Sequence, residues 1–248
     1  MPWTTLIDAS SLAAHLGQAD LVLVDCRFQL ADPSWGEAEY ARAHIPGAVY
    51  ANLDRDLSGA KTGTNGRHPL PPETAFVATL GRLGISRDCQ VVVYDQDSSM
   101  FACRLWWMLR WMGHDAVAVL DGGLAAWVAS GGAVVAGVET ARPATFVAAP
   151  RPAMVAPLGD VIGVVQQPGR ARLVDARAAE RFRGDSEPLD ARAGHIPGAA
   201  NHCFKDNLTA DGRFLQPLVL RTKLQAVLGD RSPGQTIVYC GSGVTACH

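Results

Sequence analysis

The sequence predicts an α/β protein of two tandem domains, each a mostly parallel sheet flanked by helices. Three observations carry this reading. The apolar runs "LVLVD" (21–25) and "VVVYD" (91–95) are short, β-branched and continuous, as expected of strands covered on both faces. Helix-like stretches alternate with such runs, which is the pattern of a parallel sheet with crossover helices. The whole pattern also occurs twice.

The repeat is visible at three places. "LVLVDCR" (21–27) matches "ARLVDAR" (171–177), "AHIPGA" (43–48) matches "GHIPGA" (194–199), and "QVVVYDQDSSM" (90–100) matches "QTIVYCGSGVT" (235–245). The pairs Asp25/Asp175, His44/His195 and Asp95/Cys240 keep one order and a nearly constant separation, which points to a tandem duplication. Within the first copy, "FACRLWWMLRWMG" has a helical apolar period and stops at Gly113, a C-cap signal. "AVAVLDGG" reads as a further buried strand and "LAAWVASGG" as a short helix ending in glycines. The tryptophans of "RLWWMLRWMG" read as packing residues. The Pro- and Ala-rich stretch "TARPATFVAAPRPAMVAPLG" (140–159) reads as an extended linker, because each Pro biases its predecessor away from helix. The expected organisation is therefore an N-terminal domain at 1–140, a linker at 141–159 and a C-terminal domain at 160–248.

Composition narrows the function classes. Of 248 residues, 48% are hydrophobic and 19% charged, ordinary for a globular protein, and the formal net charge of −2 provides no overall basic footprint for nucleic acid or an anionic membrane. No apolar stretch is long enough for a membrane span, and the start "MPWTTLIDASSLAAHLGQ" lacks the basic and apolar regions of a secretory leader. The six cysteines form no C-x-x-C pair, and the histidines do not fall at ligand spacing from any cysteine pair. This predicts reduced thiols in a cytoplasmic protein, with neither a disulfide framework nor a metal site.

Cys240 stands apart from the other five. It follows "TIVY", so it sits at the carboxyl end of a predicted strand, where open α/β sheets gather their chemistry. Gly241, Ser242, Gly243, Val244 and Thr245 follow, and the glycines permit close backbone approach. A helix starting after this loop would aim its N–H groups at the sulfur and stabilise a thiolate, the form in which cysteine is a nucleophile. Cys26, Cys89, Cys103, Cys203 and Cys247 read as inert.

Two copies of a V-D-x-R, H-I-P-G-A and V-x-Y-loop unit, with "CGSGVT" in the second, resemble the two-domain rhodanese-type sulfurtransferases. The resemblance spans essentially the whole chain. It implies a catalytic C-terminal domain and a non-catalytic N-terminal one, in which Asp95 holds the place of the cysteine. It also implies double displacement: Cys240 takes a sulfane sulfur from a small donor, becomes a persulfide, and passes the sulfur to cyanide or a thiol, including a thioredoxin-like one. No metal or organic cofactor is required. The neutral loop residues Gly241 and Ser242 resemble the members that use 3-mercaptopyruvate, whereas thiosulfate users commonly carry basic residues there. Thiosulfate is the alternative donor.

The same resemblance assigns Arg181 to the donor's anionic group, which a forked guanidinium suits. Asp54 and His68 correspond to first-domain residues that reach toward the loop serine, and such a chain could move a proton at the donor thiol or the product enolate. A second donor-binding arginine is not matched, since "EPLDARAGH" has Leu189 in its place, with Arg192 nearby. His44 and His195, like Asp25, Arg27, Asp175 and Arg177, read as structural, because the copy without a cysteine retains them too. A phosphatase would need an arginine where Ala246 stands. A non-catalytic sulfur carrier or redox sensor is the remaining rival. Finally, the first copy continues past its loop with a helix, a strand and a helix (101–132), while the second has only Ala246, Cys247 and His248. The comparison predicts that a further helix–strand–helix unit lies beyond the given sequence.

Overall fold

The computed structural model describes residues 2–248 and places the strands in two parallel sheets. The first sheet has the order β1-β5-β4-β2-β3, made of β1 (Leu6–Ile7), β2 (Leu21–Asp25), β3 (Ala48–Tyr50), β4 (Gln90–Tyr94) and β5 (Val117–Leu120). Its helices are α1 (Ala9–Ala13), α2 (Trp35–Arg42), α3 (Glu73–Arg82), α4 (Ala102–Trp111) and α5 (Gly123–Ala129). Every side chain of β3 and β5 is buried, and only Gln90 of β4 is not, which is why these strands read as unbroken apolar runs. Two apolar clusters cover the faces of this sheet, one built around Phe28, Phe76 and Phe101, the other around Leu12, Tyr94 and Trp127.

The second sheet has the order β7-β6-β8, from β6 (Arg172–Asp175), β7 (Ala200–Asn201) and β8 (Thr236–Tyr239). It is accompanied by α6 (Leu158–Gln166), α7 (Ala179–Arg183) and α8 (Pro217–Leu228). Among the described residues no helix is long and apolar enough to cross a membrane.

The two sheets repeat one another in detail. Asp25 on β2 lies opposite Tyr94 on β4, and Asp175 on β6 lies opposite Tyr239 on β8. Arg27 grips Asp25 and donates to the Ala43 carbonyl at 2.6 Å; Arg177 grips Asp175 and donates to the Gly194 carbonyl at 2.6 Å. The backbone N–H of Ile45 donates to the Tyr94 hydroxyl, and that of Ile196 to the Tyr239 hydroxyl. His44 stacks on Tyr40 and bonds its carbonyl through Nδ1, while His195 stacks on Phe182 and does the same. Each buried ion pair thus ties the end of a strand to the turn that carries H-I-P-G. Removing one member of such a pair would strand a charge in the interior at a cost of about 3–5 kcal/mol.

The connecting segment differs from a free linker. Its backbone N–H groups at Ala144, Ala149 and Arg151 donate to the carbonyls of Gly81, Met112 and Trp111, and Arg151 forms a two-bond ion pair with Asp115. Gly113 explains part of this. Its φ of +87° ends α4, and a Cβ there would stand 2.4 Å from the Ala149 carbonyl oxygen, so only glycine lets the segment lie against the helix end. Helix α6 begins at Leu158, directly after Pro157, so Leu158 and Gly159 are helical rather than extended.

Candidate active site

The site lies where the carboxyl end of β8 meets α4. In the first sheet, the chain leaves β2 toward β3 on one side and leaves β4 toward β5 on the other, so the end of β4 is a topological switch point. Cys240 follows β8 as Asp95 follows β4.

The two loops hold these side chains differently. Asp95 is fully buried, and its carboxylate accepts from the N–H groups of Ser99 (2.9 Å), Phe101 (2.8 Å), Asp97 (3.2 Å) and Ala102 (3.3 Å). Burial nevertheless pushes its carboxyl up to about 6, against the pull of those N–H groups. Cys240 is half-buried, and its sulfur accepts from one backbone group, the Gly243 N–H at 3.1 Å. The loop is followed by a single 3-10 turn (Thr245–Cys247). The expectation of several converging N–H groups and a helix N-terminus is therefore met at Asp95, where α4 begins, while at Cys240 the cradle is the Gly243 N–H. Gly243 adopts φ +74°, and that left-handed turn aims its N–H back at the sulfur.

What holds Gly243 in place is Arg104, a residue the sequence reading passed over. Arg104 is buried on α4 and donates to the carbonyls of Gly243 (2.9 Å), Leu57 (3.2 Å) and His68 (3.2 Å). Val244 is also buried in the apolar cluster of the first sheet, and Cys247 packs against that cluster. The Cys240 loop is thus clamped between both halves of the chain. A signal was present: within "FACRLWWMLRWMG", Arg104 falls on the apolar stripe with Phe101, Leu105 and Met108, where a charge is out of place unless it is used.

Asp54 and His68 do come together, with His68 Nε2 at 3.5 Å from Asp54, which also pairs with Lys61 at 3.1 Å. Among the described residues no hydrogen bond joins the Ser242 hydroxyl to either, so only the first link of the expected proton chain is closed. Burial holds the His68 pKa down at about 4, against the raising effect of Asp54, so the ring is neutral at pH 7. Its Nδ1 is buried without a hydrogen-bond partner among the described residues.

A prediction follows from the sign of that shift. Between the unfolded value of 6.5 and about 4, the unfolded chain takes up a proton that the folded site refuses. Stability therefore falls as pH drops through this window, by about 2–3 kcal/mol in total from this group. Urea unfolding of the wild type and His68→Gln at pH 7 and pH 4.5 checks it: the variant is expected to lose less stability on acidification. An equal loss in both would mean that His68 does not govern that part of the curve.

Arg181 sits in the middle of α7, already engaged. Its guanidinium binds Glu187 (2.7 Å) and Asp190 (2.7 Å), and Glu187 also accepts from Arg177 at 3.1 Å. Burial works to raise the Glu187 pKa, but Arg181 and the N–H groups of Asp190 and Leu189 outweigh it and hold it at about 2. Arg67 arrives from the first half and pairs with Asp190 at 2.9 Å. A Cβ on Gly241 would stand 2.6 Å from Arg67 Nη2, 2.7 Å from Asp190 Oδ2 and 3.2 Å from Arg181 Nη2, so the loop next to Cys240 is lined by an ion-paired group of two guanidiniums and a carboxylate even though its own residues are neutral. Arg192, by contrast, is exposed and stands outside this ion-pair group. Arg67 and Asp190 also escaped the sequence reading, since they lie far apart in the chain and carry no motif.

Residues 8–130 match the rhodanese-like domain family. The chain is 48% identical over 245 residues to a probable 3-mercaptopyruvate sulfurtransferase of Pseudomonas aeruginosa, covering 98% of this chain and 86% of that protein. It is 40% identical over 254 residues to a putative thiosulfate sulfurtransferase, SseB, of Mycobacterium tuberculosis, covering 97% and 84%. Its structure is similar to that of the 3-mercaptopyruvate sulfurtransferase SseA of Escherichia coli, with a TM-score of 0.85 and 32% identity over all of this chain and 91% of that one.

Proposed function

Because the chain belongs to the rhodanese family of sulfurtransferases, we propose that it moves the thiol sulfur of 3-mercaptopyruvate to a thiol or cyanide through a persulfide on Cys240. The observation that carries this reading is the Cys240 sulfur at the end of β8, bonded by the Gly243 N–H, in a loop whose next residue, Gly241, lies against Arg67 and Arg181. In the first half-reaction the Cys240 thiolate attacks the donor sulfur. The S–S bond forms as the donor C–S bond breaks, and its electron pair leaves on the carbon side as the enolate of pyruvate. The donor's thiol proton ends on that enolate, giving pyruvate. His68, held neutral at pH 7 and 3.5 Å from Asp54, presents one acceptor nitrogen and one N–H, the form in which a ring relays a proton without keeping the charge. In the second half-reaction the acceptor takes the outer sulfur and Cys240 leaves as thiolate. The negative charge that develops at the sulfurs faces the Gly243 N–H, which is fixed before reaction begins.

The acceptor in this reading is a small thiol, cyanide or a thioredoxin-like protein, and the compartment is the cytoplasm. The halves 1–140 and 160–248 are read as duplicated domains, supported by the matching Arg27–Asp25 and Arg177–Asp175 pairs, with chemistry retained only in the second. Thiosulfate is a second reading, favoured by the two guanidinium groups at Gly241, which a dianion would also suit.

The test is steady-state transfer to cyanide with each donor in turn. A kcat/KM for 3-mercaptopyruvate at least about tenfold above that for thiosulfate is expected, the ratio that about 1.4 kcal/mol of differential binding in the transition state produces. The reverse order would transfer the assignment to thiosulfate and leave Cys240 as the carrier.

A further inference from the structure

The ion pairs around Gly241 have a property that structural bracing does not require. One carboxylate, that of Asp190, is gripped by two guanidinium groups from different halves of the chain. Its Oδ1 accepts from Arg67 Nε at 2.9 Å, and its Oδ2 accepts from Arg67 Nη2 at 3.4 Å and from Arg181 Nη2 at 2.7 Å. We propose that Arg67 and Arg181 together form the clamp for the donor's carboxylate, and that Asp190 fills this clamp until the donor displaces it. The proposal rests on the reading of Cys240 as the sulfur acceptor; the family resemblance already gives Arg181 to the donor, and what is added is Arg67 as the second arm of the clamp and Asp190 as its displaceable occupant.

Position supports it first. The point where a Cβ on Gly241 would sit is 2.6 Å from Arg67 Nη2, 2.7 Å from Asp190 Oδ2 and 3.2 Å from Arg181 Nη2. Gly241 follows Cys240 directly, so a carboxylate seated between the two guanidiniums borders the residue next to the sulfur-bearing one. The donor fits this span, because only two carbons separate its thiol carbon from its carboxylate oxygens. A side chain at 241 would fill the same space.

The differing restraints on the three residues support it second. Arg181 is pinned from behind by Glu187, which accepts from both Nε and Nη2, so this cation stays in place when Asp190 leaves. Among the described residues, the only side-chain partner of Arg67 is Asp190, so its fork becomes available as a unit. Asp190 is 27% exposed and lies in a stretch without helix or strand, tethered through its N–H to Glu187. It can swing toward water while both guanidiniums stay in place.

Charge supports it third. With Asp190 in place, Arg67 and Arg181 are balanced by Asp190 and Glu187. With Asp190 displaced, the pocket carries one uncompensated positive charge, which matches a monocarboxylate, and a bidentate fork recognises that group best.

The experiment uses the full chain and two readouts. One is the KM for 3-mercaptopyruvate, and the other is calorimetric binding of pyruvate to the Cys240→Ser protein, which needs no turnover. Arg67→Ala is expected to weaken both by about tenfold or more, with kcat within about threefold, as loss of a charged hydrogen-bond pair implies. Arg67→Lys should recover part of the loss, and Arg67→Gln replaces Arg67→Ala if the latter fails to fold. Asp190→Asn should tighten both several-fold, because a neutral amide competes poorly for the clamp. Unchanged KM and pyruvate affinity in Arg67→Ala would overturn the proposal, as would an Asp190→Asn variant that binds pyruvate more weakly than the wild type. If the wild type transfers no sulfur through Cys240 but binds pyruvate in an Arg67-dependent way, the clamp stands and the sulfurtransferase reading falls. If transfer is normal and Arg67→Ala changes neither readout, the clamp falls alone.

Discussion

Replacing Cys240 by serine is expected to lower sulfur transfer from either donor by at least about 10⁴-fold, because a hydroxyl beside the Gly243 N–H neither ionises near pH 7 nor accepts a sulfane sulfur. No other thiol can take over. Cys26 and Cys103 are buried, and desolvation pushes both thiols well above their ordinary value. Burial likewise raises Cys89 and Cys203, and it pushes Cys247 up to about 11. The measurement pairs initial rates with intact mass after incubation with donor but no acceptor. The wild type should gain one sulfur, removable by cyanide, and Cys240→Ser should gain none. Since serine keeps the volume and the half-buried position, the thermal midpoint should be unchanged, which separates loss of chemistry from loss of fold. A persulfide retained in the serine variant would remove Cys240 from the mechanism.

The second large effect is expected at Arg104. Arg104→Ala deletes one buried cation and with it the donors to the carbonyls of Gly243, Leu57 and His68. The Leu57 and His68 carbonyls then lose their side-chain donor, Gly243 keeps, among the described residues, only the Cys247 thiol, and the site is expected to lose about 3 kcal/mol of stability. The catalytic consequence comes through Gly243. Its carbonyl is held by Arg104 while its N–H holds the sulfur, so freeing the first loosens the second. A fall in kcat of about 100-fold with KM changed little is expected, the pattern of an interaction that matters mainly in the transition state. A merely structural role would not alter the folded enzyme. The rate of Cys240 alkylation by iodoacetamide, measured well below the unfolding temperature, therefore decides the point: it should fall in Arg104→Ala and partly recover in Arg104→Lys. Unchanged alkylation and kcat would leave Arg104 as a packing residue only.

How far the sequence reached can be judged residue by residue. "LVLVD" and "VVVYD" became β2 and β4 because an uninterrupted β-branched run has few ways to bury both its faces. Strands β1, β3 and β7, of two or three residues each, left no period to read and exist because neighbouring strands complete them. Cys240 was legible because strand end, glycines and repeat position coincide in one short stretch. Arg181 was legible by resemblance, but its engagement with Glu187 and Asp190 was not. Asp54 and His68 lie 3.5 Å apart, while the absence, among the described residues, of a hydrogen bond to Ser242 depends on side-chain positions that local sequence does not encode.

Local sequence alone thus determined the strand–helix alternation, the doubled pattern and the candidate nucleophile. These are set by nearest-neighbour chemistry: where a chain must bury both faces, where glycine permits a turn, where a cysteine ends a strand. The tertiary structure decided what surrounds that nucleophile. It brought Arg104 from α4 under the loop, seated Val244 in the other half's apolar cluster, and carried Arg67 across to Asp190. Those contacts join residues more than a hundred positions apart. Their energy comes from burying and pairing charges whose partners are chosen by packing rather than by spacing along the chain.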